Sequence, residues 1–297
     1  MLKELLKVSV FVVVILAVVV VVHGRQSLSE KQPDVNMGKV IADKRAALAE
    51  SEAIAIALVN RTLEDLSNRF GGDSFALPKQ VIFLNGAPGA GKGTNTLTIM
   101  RVFEIPTRPI EVSSLLNTPE CEKLKSAGEL IGDDIVVEKI VDELMKPENA
   151  NGVIIDGFPR TAVQAYFLKN LISQIRPLNG TETIFRMINF HVSLKTSVER
   201  QLARGAAAIA KNKKAKMEGL KEIPVRTTDT SKESAEYRYN TYENSIETCI
   251  SILQNDLDFY EIDAEGSFDD VKRRVRNSLP ELHLEKDTRK NERPKNR

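Results

Sequence analysis

The residues that could do chemistry begin with Gly86-Ala87-Pro88-Gly89-Ala90-Gly91-Lys92-Gly93-Thr94. They follow Val81-Ile82-Phe83-Leu84, an apolar run that reads as a buried strand, and lead into 92–102, which can continue as a helix. Strand, glycine-rich turn and helix N-terminus in that order make a phosphate cradle. Backbone N–H groups point into the loop, the helix dipole favours anions, and the lysine adds a mobile positive charge. The strict P-loop pattern has Ser or Thr directly after the lysine; here Gly93 intervenes before Thr94.

A second constellation is Val153-Ile154-Ile155-Asp156, an apolar strand ending in a carboxylate, followed by Gly157-Phe158-Pro159-Arg160-Thr161 and then Gln164. An aspartate at the end of a strand beside a P-loop stands where a Mg²⁺ shell needs negative charge. Further on lie Arg200, Arg204, Arg226 and Arg238. Arginines that converge on a phosphoryl group spread positive charge over its oxygens and close over it to exclude water.

Gly-x-Pro-Gly-x-Gly-Lys-Gly-Thr together with Asp-Gly-Phe-Pro-Arg-Thr resembles the adenylate kinase and nucleoside monophosphate kinase family, over about Gln80 to Leu279. The resemblance implies transfer of the ATP γ-phosphoryl group to a nucleoside monophosphate, AMP by preference, with Mg²⁺ as the metal. It implies that Gly86, Pro88, Gly89, Ala90, Gly91, Lys92, Gly93 and Thr94 cradle the donor phosphates. Lys92 would follow the transferred group. Arg200 would lie against the donor adenine and Arg204 would reach the phosphates. Asp156 would hold Mg²⁺ through water. On the acceptor side, Arg160 would grip the phosphate and Gln164 would read adenine, with Gly157 and Ile131 alongside. Arg226 and Arg238 would also bind the acceptor nucleotide and complete a catalytic set with Lys92, Arg160 and Arg204.

The acceptor segment departs from the family pattern. Where the family has threonine, aspartate and arginine, this chain has Val112, Ser114 and Asn117. The losses fall on acceptor binding and on the second metal-shell carboxylate, whereas the donor cradle is whole. Two alternatives stay open on these residues: a tethered nucleotide-binding module with little turnover, and a kinase for another nucleotide or metabolite acceptor.

These groups need a scaffold. Strands are expected at 80–85, 109–112, 151–156, 183–193 and 257–263, and helices at 134–145, 161–175, 196–210, 232–254 and 267–278. Alternation of this kind predicts an α/β fold with a five-stranded parallel sheet and helices on both faces, and the resemblance implies that it is of the P-loop kinase type. Ligands then sit at the carboxyl ends of the strands. The kinase-like domain is expected at 77–280, with a lid at about 205–226 that lacks the four cysteines of zinc-bearing lids, so no zinc is expected.

The remainder is organisation. With 297 residues and a net charge of +1, no global field points to nucleic acid. Cys121 and Cys249 imply no disulfide framework. Residues 8–22 are an unbroken run without charge, with Ser9 its only polar residue, and Leu5 and Leu6 lengthen it. Residues 1–25 therefore read as a membrane anchor, in contact with lipid through residues 5–22, or as a cleaved secretory signal. The need for ATP favours an anchor with the kinase domain on the cytosolic side. Residues 26–76 read as a linker and a helical stalk; in 37–70 an apolar stripe of Ile56, Val59, Leu63, Leu66 and Phe70 packs on the next domain or forms a homodimer. Residues 281–297 read as a charged, disordered tail.

Overall fold

The computed structural model describes residues 37–72, 75–127, 131–175 and 183–280. The expected anchor (1–25), the linker that follows it and the tail at 281–297 lie outside the described residues. Among the described residues no helix is long and apolar enough to cross a membrane. Two compact units divide at residue 45, and the second, from Ala46 onward, carries the sheet.

The sheet is built from β1 (Gln80–Gly86), β2 (Ile110–Glu111), β3 (Val153–Asp156), β4 (Ile184–His191) and β5 (Asp258–Asp263). Their order is β2-β3-β1-β4-β5, and every described pairing is parallel. A period of two divides the apolar residues between the faces. Val81, Phe83, Val153, Ile155 and Met187 enter one core, whereas Ile82, Leu84, Ile154, Ile188 and Ile262 enter the other. A strand covered on both sides reads as a continuous apolar run, which is why 81–84 shows no alternation.

The helices are α1 (Met37–Phe70), α2 (Lys92–Val102), α3 (Val112–Leu115), α4 (Pro119–Ala127), α5 (Asp133–Leu144), α6 (Ala162–Ile175), α7 (Leu194–Met217), α8 (Lys232–Leu253) and α9 (Phe268–Ser278). Residues of α5, α6 and α8 join the first core, and those of α2 and α9 the second. Ala55, Leu58, Val59 and Leu66 of α1 are buried in the first core too. The stripe read from the sequence is therefore rotated: Ile56 and Phe70 are each 41% exposed. Gly71 and Gly72 end α1 as expected, both with positive φ, and the Gly72 N–H donates to the Ser67 carbonyl.

Two boundaries move. β2 keeps only two residues because Val112 already begins α3. The helix expected to stop at Ala210 continues to Met217, since Ala206–Ala208, Ala210 and Ala215, with lysines between, are strong helix formers. Gly205 does not break it. A Cβ there would lie 2.2 Å from the Asp229 carbonyl oxygen, so glycine lets the chain cross α7 at close range. The expected lid is thus a helix arm, followed by residues 218–226, which return along it. Asn212 holds them with both ends of its amide: Nδ2 donates to the Ile223 carbonyl at 2.7 Å and Oδ1 accepts from the Ile223 N–H at 2.8 Å.

Candidate active site

The cradle forms where β1 ends at the centre of the sheet. The Ala87 N–H donates to the Phe190 carbonyl at 3.2 Å, and the Pro88 carbonyl accepts from Ser197 Oγ at 2.7 Å, so β4 and α7 clamp the loop from the side. Gly91 caps α2 in a left-handed conformation with no side-chain cap. The first-turn N–H groups of a helix have no partner within it, and Gly93 and Thr94 are exposed there. Lys92 folds back, with Nζ donating to the Gly86 carbonyl at 2.6 Å. Burial lowers its pKa from 10.5 to about 8; Asp156 opposes the shift, and Arg160, Arg238 and Arg226 reinforce it.

These influences show that the structure brings Lys92, Asp156, Arg160, Arg226 and Arg238 together. Asp156 stands beside Leu84 in register, at the carboxyl edge of the sheet. Its carboxylate makes no hydrogen bond or ion pair among the described residues and remains available to a ligand. Arg160 lies across Gly157, where a Cβ would sit 2.5 Å from its guanidinium and φ is +92°. Burial in the cleft, then the nearby Arg226, lower the Arg160 pKa against the pull of Asp156. Arg238 is brought down to about 10 by burial, Arg226 and Arg204. Both remain cations at neutral pH.

Asp229 gathers the lid side. It is 3% exposed and takes both nitrogens of an Arg204 fork, Nε at 2.7 Å and Nη2 at 2.8 Å, with Arg238 Nη1 at 3.5 Å. Arg238 also reaches Thr228 Oγ1 at 3.4 Å. A bidentate pair of this kind fixes the direction of the guanidinium.

Arg200 stands apart from that cluster. It spans from the cradle to the loop after β5, donating to the carbonyls of Gly89 (3.3 Å), Ala264 (3.0 Å) and Gly266 (2.9 Å). It lines an open cleft of about 240 Å³ with Gly89–Gly91, Thr94, Asn95, Gly266, Phe268 and Val271. Phe268 and Gly266 escaped the sequence reading, which took Ser267 only as a helix start. Ser267 is that, in a capping box with Asp270. The signal for the cleft is the order β1-β4-β5, which brings the end of β5 near the P-loop.

The adenylate kinase family model matches residues 84–257. An adenylate kinase of Lachnospira eligens is 31% identical over 207 residues, 64% of this chain and 95% of that protein. One of Corynebacterium glutamicum is 34% identical over 135 residues, 42% of this chain and 71% of that protein. One of Xanthomonas oryzae pv. oryzae is 29% identical over 208 residues, 67% of this chain and 98% of that protein. The chain belongs to the adenylate kinase family. It is a phosphotransferase of the nucleoside monophosphate kinase kind.

The residues expected to meet the acceptor are more scattered. Val112 and Ile131 are buried in the first core, at 5% and 8% exposure. Asn117 is exposed beyond α3. Ser114 is exposed and spends its hydroxyl on the Glu111 carbonyl at 2.7 Å. Gln164, by contrast, is 3% exposed and held at both ends of its amide: Oε1 accepts from the Arg160 N–H at 2.7 Å and Nε2 donates to Asp133 Oδ1 at 2.8 Å. Asp133 is a residue the sequence reading passed over.

Proposed function

We propose that this protein catalyses the reversible transfer of the ATP γ-phosphoryl group to AMP. The observation that carries the reading is the convergence of Lys92, Arg160, Arg226 and Arg238 at the mouth of the cradle, with Asp156 facing Lys92 and Arg160. Such a cluster is costly without an anion and favourable around transferring phosphate. The residues take the roles their positions suit. Gly86–Thr94 with Lys92 hold the donor phosphates, and Arg200 with Phe268 flanks the donor base. Arg160, Arg226 and Arg238 grip the acceptor phosphate, and Arg204 enters from the lid. No protein nucleophile is needed: an acceptor phosphate oxygen attacks in line, and catalysis is positioning plus charge stabilisation.

Mg²⁺ fits this site through Asp156, a carboxylate beside the cradle without a hydrogen-bond or ion-pair partner among the described residues; magnesium binds through one or two carboxylates, water and substrate phosphates. The bound ion supplies charge neutralisation on the phosphoryl oxygens. Ser114, whose hydroxyl serves its own turn, is the weaker candidate for the second carboxylate's place.

A coupled assay of the full-length chain with ATP and each of AMP, CMP, UMP and GMP tests the reading. Turnover greatest with AMP is expected; absence of turnover with all of them overturns it. The altered Ser114 and Asn117 favour the second reading, a nucleotide-binding module with little turnover, which tight ATP binding without transfer would support. Residues 5–22 are read as an anchor that leaves the kinase domain on the ATP-containing side. Protease attack on the domain in intact, sealed inside-out vesicles, but not in right-side-out ones, is the result expected. The reverse pattern overturns that reading.

A further inference from the structure

A hydrogen-bond chain on the acceptor side ends on a residue with no part in handling phosphate. Asp133 opens α5, where its negative charge suits the helix N-terminus. Its Oδ1 accepts from Thr161 Oγ1 at 2.8 Å and from Gln164 Nε2 at 2.8 Å. Thr161 Oγ1 in turn accepts from the Gln164 N–H at 3.1 Å, and Gln164 Oε1 accepts from the Arg160 N–H at 2.7 Å. The thiol of Cys249 donates to the Thr161 carbonyl at 3.4 Å, which ties α8 into the same junction.

The two ends of a glutamine amide are almost isosteric, so only the partners decide which way it faces. Here a carboxylate faces one end and a backbone N–H the other. A flip would set Oε1 against the Asp133 carboxylate and the amide N–H groups against the Arg160 N–H, two repulsive contacts at once.

We propose that Asp133 is a positioning residue that locks the Gln164 amide in one orientation and so makes the acceptor site selective for 6-aminopurine over 6-oxopurine monophosphates. The inference rests on the reading of Gln164 as the group that meets the acceptor base. Locked, the amide keeps one N–H donor and one oxygen lone pair for a ligand. A 6-aminopurine presents the complement, a ring-nitrogen acceptor beside an amino donor. A 6-oxopurine presents a ring N–H beside a carbonyl, which matches only the flipped amide. The aspartate thus turns a reader that works both ways into one that works in a single direction, without touching the base.

The test measures kcat/KM for AMP and for IMP, with ATP as donor, in the full-length chain. Asp133→Ala should narrow the AMP preference about tenfold, the loss expected when one hydrogen bond stops discriminating. Asp133→Ser, which suits a helix start but cannot reach the amide, should do the same and serves if the alanine variant does not fold. Asp133→Asn retains an Oδ1 acceptor and should hold the preference within about threefold of wild type, with KM for ATP unchanged in all three. Gln164→Ala separates the two ideas. If it leaves the preference intact, the reading of Gln164 fails. If it narrows the preference while Asp133→Ala and Asp133→Ser do not, or if Asp133→Asn narrows it as much as they do, the positioning role is overturned. A purely structural role would lower the melting point and both kcat/KM values together, leaving their ratio unmoved.

Discussion

Raising the pH from 7 to 9 should weaken binding of the ATP phosphates about tenfold through Lys92 alone. Burial, with Arg160, Arg238 and Arg226 nearby, brings the Lys92 pKa from 10.5 to about 8. A group of that pKa is about nine-tenths charged at pH 7 and about one-tenth at pH 9. If only the ammonium holds phosphate, affinity falls in that proportion, about 1.4 kcal/mol. For folding the sign is opposite. Between pH 8 and 10.5 the unfolded chain binds the Lys92 proton and the native chain does not, so the ligand-free protein gains stability as pH rises through that window. The gain is at most about 3 kcal/mol. Equilibrium binding of ATP by calorimetry, in two buffers of different ionisation enthalpy, reads both the affinity and the proton taken up. Lys92→Arg should remove the pH dependence while keeping most of the affinity at pH 9. Lys92→Ala should bind weakly at both pH values, and it corrects for the ionisation of ATP itself. Equal pH dependence in wild type and Lys92→Ala, or a flat wild-type profile, refutes the reasoning.

Gly205→Ala should destabilise the protein by about 1–3 kcal/mol in urea denaturation, because its Cβ would strike the Asp229 backbone at 2.2 Å; an unchanged midpoint would mean that the crossing at α7 is looser than described. Arg160→Ala should raise KM for AMP about 10–100-fold and lower kcat as well, with KM for ATP little altered in steady-state assays. Asn117→Arg, which restores the family's arginine, should lower KM for AMP about tenfold at similar kcat. Asp156→Asn should raise the Mg²⁺ concentration for half-maximal rate roughly tenfold, as read by magnesium titration at fixed ATP.

What the sequence discloses is what short-range patterns control. The P-loop and β1 are legible because glycine spacing and an apolar run are local signals, and the five strands follow from their alternation with helices. Three features depend on contacts the sequence does not show. The helix expected over 196–210 already runs through Gly205, but only the Asp229 carbonyl crossing above it explains a glycine inside α7. Ile56 and Phe70 fit an apolar stripe as well as Ala55 and Leu58 do, and burial against the sheet selects the latter. Asp133 and Gln164 meet across 31 residues, so the acidic start of α5 is visible while its partner is not. The departures at Val112, Ser114 and Asn117 are visible at once, yet their consequences differ. Val112 turns into the core, and Ser114 closes a turn on Glu111.

The lid explains why the cationic cluster is tolerable. Arg204 lies on α7 and Arg226 at the end of the segment that returns along it, and the Asn212 amide joins the two limbs. A displacement of the arm therefore carries both arginines together. Asp229, itself buried, holds Arg204 and Arg238 and offsets part of their repulsion. The lowered pKa values of Lys92, Arg160 and Arg238 come first from burial, with the neighbouring arginines adding to it. Phosphate relieves the repulsion. Each anionic oxygen that enters lets the cations come closer at lower cost, so the charge that opposes closure of the empty arm favours closure over a filled site. Closure coupled in this way would exclude water when substrate is present and so limit hydrolysis of ATP.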